Sequence, residues 1–106
     1  MKELKEFLHV VSKNDFIEGH EVLEEQWRKW KKTPTMKEES YILKGLINGS
    51  TALALKVKQK NAPSLKVWAT FLKYSPLIDS IDSKFSTSYK EARALLLEKS
   101  IEYKID

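Results

Sequence analysis

Cysteine is absent from this 106-residue chain, which excludes disulfides, thiolate metal sites and a cysteine nucleophile. Histidine occurs only at His9 and His20, so no three-histidine metal site can form within one chain. No metal and no cofactor is expected. Long apolar runs are also missing. The longest uncharged stretch in the middle runs from Gly45 to Leu55, between Lys44 and Lys56. It falls well short of the ~20 residues that a membrane span needs. The opening Met1-Lys2-Glu3-Leu4-Lys5-Glu6 carries acids where a signal peptide is apolar. A cytoplasmic protein with no membrane partner is expected. Glycine and proline occur three times each, and no segment alternates at period 2. Strands are therefore not expected.

The chain is 42% hydrophobic and 32% charged, enough apolar residue to build one small core. A prior of ~100–200 residues per domain leaves room for a single domain over residues 1–106. Apolar residues recur every three or four positions, which predicts helices. Leu4, Phe7, Leu8 and Val11 share a face of a first helix over Lys2–Ser12. Asp15 and Glu18 form a capping box that starts a second, over about Phe16–Lys31. Thr35 and Glu38 form another, opening a long helix near residues 36–60. Between Tyr41 and Leu55 that helix is apolar almost all round, the mark of a central helix covered by its neighbours. Gly45, Gly49 and Ser50 cost helix propensity there and imply close approach of a neighbouring backbone. A fourth helix is expected over Pro63–Tyr74 and an irregular segment over Leu77–Ser86. A fifth helix, capped by Ser88 and Glu91, is expected over about Tyr89–Tyr103. The expected fold is an all-α, compact single-domain bundle of about five helices. Leu23, Trp27, Leu43, Leu46, Ile47, Leu53 and Trp68 are expected in its core, and Trp30 with them.

Residues 41–78 carry six lysines and no acid, and so hold the whole net charge of +4. Lys56, Lys58 and Lys60 lie where cations complement a helix C-terminus. With Lys66 and Lys73 they also form a candidate anion or nucleic-acid patch. That patch has no arginine, the usual residue for bidentate phosphate recognition, and the solvated helix end is the favoured reading.

The second helix carries the unusual chemistry. His20 and Glu24 are four apart and share a face with Phe16 and Trp27, while Glu21 and Arg28 flank Glu24. On the long helix, Lys44, Asn48 and Thr51 form a polar strip that can face this cluster if the two helices pack antiparallel. The zinc-hydrolase pattern His-Glu-x-x-His is not met, because Glu24 stands where the second histidine belongs. Two readings remain beside a structural hydrogen-bond network: a small-ligand or anion site, and a catalytic or metal site using His20, Glu21 and Glu24. The network is favoured. It predicts His20 largely buried and hydrogen-bonded to Lys44's turn, Asn48 or Thr51.

The run Asn14-Asp15-Phe16, His20-Glu21-Val22-Leu23-Glu24-Glu25 and Trp27-Arg28 resembles the signature of the family called domain of unknown function 309. Its members read Phe/Tyr-x-x-x-His-Glu-x-x-Glu-x-x-Trp. Leu43 to Leu53 is similar to its second segment, and Lys60-Asn61-Ala62 to the loop that follows, so the resemblance covers about residues 14–72. Two family glutamines are Lys44 and Asn48 here. The resemblance implies a small all-α bundle of bacterial or archaeal origin and no established activity. His20, Glu21, Glu24, Trp27 and Arg28 carry over as signature positions without catalytic roles. Three function classes follow. The leading one is a non-enzymatic interaction or structural protein, with a homo-oligomer as its candidate assembly. The others are a small enzyme or ligand-binding protein using the polar cluster, and an anion- or nucleic-acid-binding protein.

Overall fold

The structure is a computed structural model that describes residues 1–105. Asp106, the last residue of the expected 1–106 domain, lies outside the described residues. The fold is all-helical: α1 (Lys2–Ser12), α2 (Phe16–Val22), α3 (Glu24–Trp30), α4 (Lys37–Val57), α5 (Asn61–Tyr74), α6 (Leu77–Ser80) and α7 (Ser86–Glu102). A 3-10 turn over Pro34–Met36 precedes α4. Five rods make the bundle, because α2 and α3 are one rod interrupted at Leu23 and α6 is a single turn.

Helix α4 is the centre, as its all-round apolar sequence requires. It packs against α2, α3, α5, α6 and α7, while α1 bridges α2 and α7. Leu43, Leu46, Ile47, Leu53, Leu23 and Trp68 are buried with Phe7, Phe71, Tyr89 and Leu96 in one cluster. Trp27 and Trp30 correct the expected core: both are only partly buried at its edge. Trp27 carries the Lys31 ammonium 4.3 Å from its ring centre, and Trp30 stacks on Phe85 at 5.8 Å. No helix among the described residues is long and apolar enough to cross a membrane.

Small residues let the rods approach closely. A Cβ built on Gly45 would lie 3.1 Å from Tyr74 Cβ and 3.7 Å from the Phe71 carbonyl, so α5 runs close past α4 there. Gly19 is the tighter case. A Cβ there would collide with the Ser50 hydroxyl and stand 2.8 Å from Val11 Cγ2. Ser50 Oγ needs that space, because it donates 2.7 Å to the Phe16 carbonyl. Ser64 Oγ likewise donates 2.8 Å to the Ala52 carbonyl and ties α5 to α4.

The helix ends follow local rules. Asp15 Oδ1 accepts from the Glu18 amide at 3.3 Å, the cap that opens α2. The caps expected at Thr35 and Ser88 are not formed. Met36 and Phe85 precede α4 and α7 with no side-chain cap, and α7 begins already at Ser86. Helices α1, α4 and α7 each close through a left-handed residue, Asn14, Gln59 and Lys104. The next amide then bonds back to a carbonyl five residues earlier: Asp15 to Val10, Lys60 to Leu55, Ile105 to Ser100.

Candidate functional site

Helices α2 and α3 lie along α4, and α2 packs tightly on it at Gly19 and Ser50, but the outer edge of that contact is not filled. A groove remains, built of three adjoining clefts of about 240, 220 and 120 Å3. His20, Glu24, Trp27, Lys44, Ile47, Asn48 and Thr51 line the first. His20 and Thr51 also line the second, with Ile17, Ala54, Leu55 and Lys58. The third adds Asn14, Asp15, Phe16 and Val57 and shares Ile17, Ala54 and Lys58 with the second. The order along α4 is the reverse of the order along α2 and α3, so the two rods are antiparallel. From Lys44 to Lys58 the groove spans about 20 Å, at ~1.5 Å per helical residue. Ile17 and Val57 stand at its mouth, each about half exposed.

Of the polar cluster, His20, Glu24, Trp27, Lys44 and Asn48 therefore share one cleft. Glu21 is exposed and is not part of the lining. Arg28 is exposed too, and its Nη2 donates 3.0 Å to Glu24 Oε1. Lys44 makes no ion pair with Glu24. Its ammonium lies 5.8 Å from the Tyr74 ring centre. Asn48 Nδ2 donates 2.8 Å to the Lys44 carbonyl, and Thr51 Oγ1 donates 3.0 Å to the Ile47 carbonyl.

These bonds overturn the expectation for His20. The polar groups meant to hold it satisfy their own helix, one turn back. His20 is half-buried, lines two clefts and has no hydrogen-bond partner among the described residues. Periodicity fixes which side of a helix a residue occupies, but not whether it falls beneath the opposing helix or at the edge of the contact. His20→Ala is expected to cost less than about 1 kcal/mol, since no buried partner is stranded. Urea denaturation checks this; a loss above about 2 kcal/mol would restore a structural role.

Among the described residues, no three His, Asp or Glu side chains converge to hold a metal ion. The lysines do not converge either. Lys58 lines the groove. Lys56 lines a separate cleft of about 130 Å3 with Asn61, Ser64, Leu65, Lys104 and Ile105. Lys60 precedes α5, and Lys66 and Lys73 lie exposed on α5.

Two polar contacts elsewhere escape sequence reading. Glu39 Oε1 accepts from Ser83 Oγ at 2.6 Å and from the buried Tyr89 hydroxyl at 2.7 Å. Arg93 grips Asp79 with two bonds of 2.7 Å and also reaches the Ser75 carbonyl. The Arg93 hydrogen bonds hold the Asp79 carboxyl below its ordinary pKa, and the Asp79 carboxylate raises that of Arg93. A tyrosine at a core position signals the first, because its hydroxyl needs a partner.

The family described as Domain of unknown function (DUF309) matches residues 4–66, more than half of the chain. The chain belongs to this family. The DUF309 match begins in α1 and ends within α5, so it takes in every residue that lines the groove. Helices α6 and α7 lie beyond it. No curated protein and no solved structure matches the chain.

Proposed function

We propose that this DUF309 chain is a non-enzymatic interaction domain that holds an acid-bearing amphipathic helix of a partner protein in the groove between α2/α3 and α4. The observation that carries this reading is the groove itself, open along about 20 Å of α4 at ~1.5 Å per residue. Ala54, Leu55, Ile47 and Trp27 give it an apolar floor, and Ile17 and Val57 are exposed at its mouth. An amphipathic helix buries one apolar face in such a groove. Charge selects the kind of helix. Lys44 and Lys58 sit towards opposite ends, while Glu24 inside the groove is already engaged by Arg28. Acids at both ends of the occupant meet both lysines. His20, lying between them without a partner among the described residues, is available to hydrogen-bond the occupant's polar edge.

Catalysis has less behind it. The groove offers one imidazole, and the Glu24 carboxylate beside it is paired.

The test uses a synthetic amphipathic peptide of about four helical turns with Glu at both ends, and its Lys-for-Glu counterpart. Amide chemical shifts report binding, with the Trp27 indole N–H resonance among them. The acidic peptide is expected to perturb residues along α2, α3 and α4. Lys44→Glu with Lys58→Glu is expected to weaken it by about tenfold or more. Equal binding of both peptides, or perturbation only outside the groove, would overturn the proposal.

A further inference from the structure

Among the described residues, four of the six exposed large apolar side chains lie away from the groove, on α5 and α7. Leu65, Leu72, Leu97 and Ile101 are between 41% and 80% exposed. The two helices run antiparallel on α4 and approach one another at a few points rather than along their length. Arg93 of α7 bonds to the Ser75 carbonyl at the end of α5, while Leu65 near its start shares a cleft with Ile105. Between these points Phe71 and Leu96 both approach Gly49.

Their outward faces are ordered across the pair. On α5, Ala62, Leu65, Ala69 and Leu72 are exposed at spacings of three and four, the pattern of a helix-packing seam. At ~100° per residue, Leu72 and Ala69 stand within about 40° of Leu65, on the flank nearer α7. Lys73 and Lys66 lie about 80° and 100° round from Leu65, at the outer edge. On α7, Leu97 and Ile101 lie on the flank nearer Arg93 and hence nearer α5. Glu98, Glu91 and Glu102 lie about 140–180° round from Arg93, at the opposite outer edge. All five edge charges are exposed. The face therefore reads basic edge, apolar centre, acidic edge.

We propose that this face binds a second copy of the chain about a two-fold axis parallel to the helices, with α5 of each copy on α7 of the other. Such an axis exchanges left and right while keeping height along the helices. It puts the lysine edge of one copy against the glutamate edge of its mate, twice. The heights agree. Lys66 lies next to Leu65, which is level with Ile105, and so meets Glu102 of the second copy. Lys73 lies two residues before Ser75, which is level with Arg93, and so falls between Glu91 and Glu98 of the second copy. The perpendicular axis would set α5 on α5, and α5 holds lysines and no acid. Like charges facing one another select against it. This interface is separate from the groove and stands or falls independently of it.

Sedimentation equilibrium of the whole chain, from micromolar to millimolar concentration, tests the proposal. Wild type is expected to show a monomer–dimer equilibrium. Lys73→Glu and Glu98→Lys, each at an exposed position, are each expected to weaken it by about tenfold, and the two together to return it to within about threefold of wild type. Unchanged circular-dichroism melts of the variants establish that they fold. A wild type that stays monomeric at millimolar concentration would overturn the proposal. So would a double variant no better than the singles, or a Lys73→Glu variant that dimerises more tightly, the mark of α5 on α5.

Discussion

Replacing Leu53 with Asp is expected to leave no cooperatively folded protein. Leu53 is fully buried on α4, the helix against which α2, α3, α5, α6 and α7 pack. Removing a buried leucine side chain costs about 2–5 kcal/mol, and an unpaired buried charge costs several more. A domain of this size has about 5–15 kcal/mol of stability in total. Far-UV circular dichroism should show lost helix and no sharp melt. Val57→Asp is the matched control. Val57 ends the same helix but is about half exposed, so its variant should melt close to wild type. A Leu53→Asp variant that melts like wild type would remove α4 from the centre of the fold.

The contrast between Leu53 and Val57 explains why the centre of the fold was legible in the sequence. A helix apolar on every side has only one stable place in a small bundle, and Gly45 and Ser50 mark where its neighbours come close. Helix ends were less legible. Ser88-x-x-Glu91 has the capping pattern, yet α7 starts at Ser86, so Ser88 is already inside the first turn. Thr35-x-x-Glu38 is displaced by the 3-10 turn over Pro34–Met36. The interruption at Leu23 leaves no local sequence mark, since Leu23 is a good helix former in the middle of a periodic run.

The groove was legible in part. His20, Glu24 and Trp27 are placed on one side by spacing alone, as are Lys44, Asn48 and Thr51. The two strips meet in one cleft because the rods are antiparallel. What spacing cannot give is that the strips lie at the outer edge of the close Gly19–Ser50 contact rather than beneath it. The network reading assumed side-chain contact, whereas Asn48 and Thr51 turn back to their own helix and Glu24 turns to Arg28. A polar side chain with a carbonyl one turn away satisfies itself locally without reaching across. That leaves the groove open and His20 facing it.

The tertiary polar contact with the largest expected effect is the one between Tyr89 and Glu39, fifty residues apart. Tyr89 is fully buried, and its hydroxyl donates to Glu39 Oε1. Glu39→Ala should strand that hydroxyl and the Ser83 Oγ beside it, at a cost of about 1–3 kcal/mol. In Glu39→Ala/Tyr89→Phe the hydroxyl is gone, so part of the loss should return. Chemical denaturation of the single and double variants measures the difference, and no recovery would mean that Glu39 acts elsewhere. The same site predicts behaviour in alkali. Burial pushes the Tyr89 phenol far above its ordinary pKa of about 10, and the Glu39 carboxylate reinforces the shift. The folded chain therefore keeps this proton where the unfolded chain loses it. Stability from this term is intact below about pH 10 and falls as pH rises further, because unfolding then releases a proton. Tyrosinate absorbance should accordingly gain a further step when the protein unfolds in alkali. In Tyr89→Phe that step should vanish. Its persistence there would place the shifted phenol at another tyrosine.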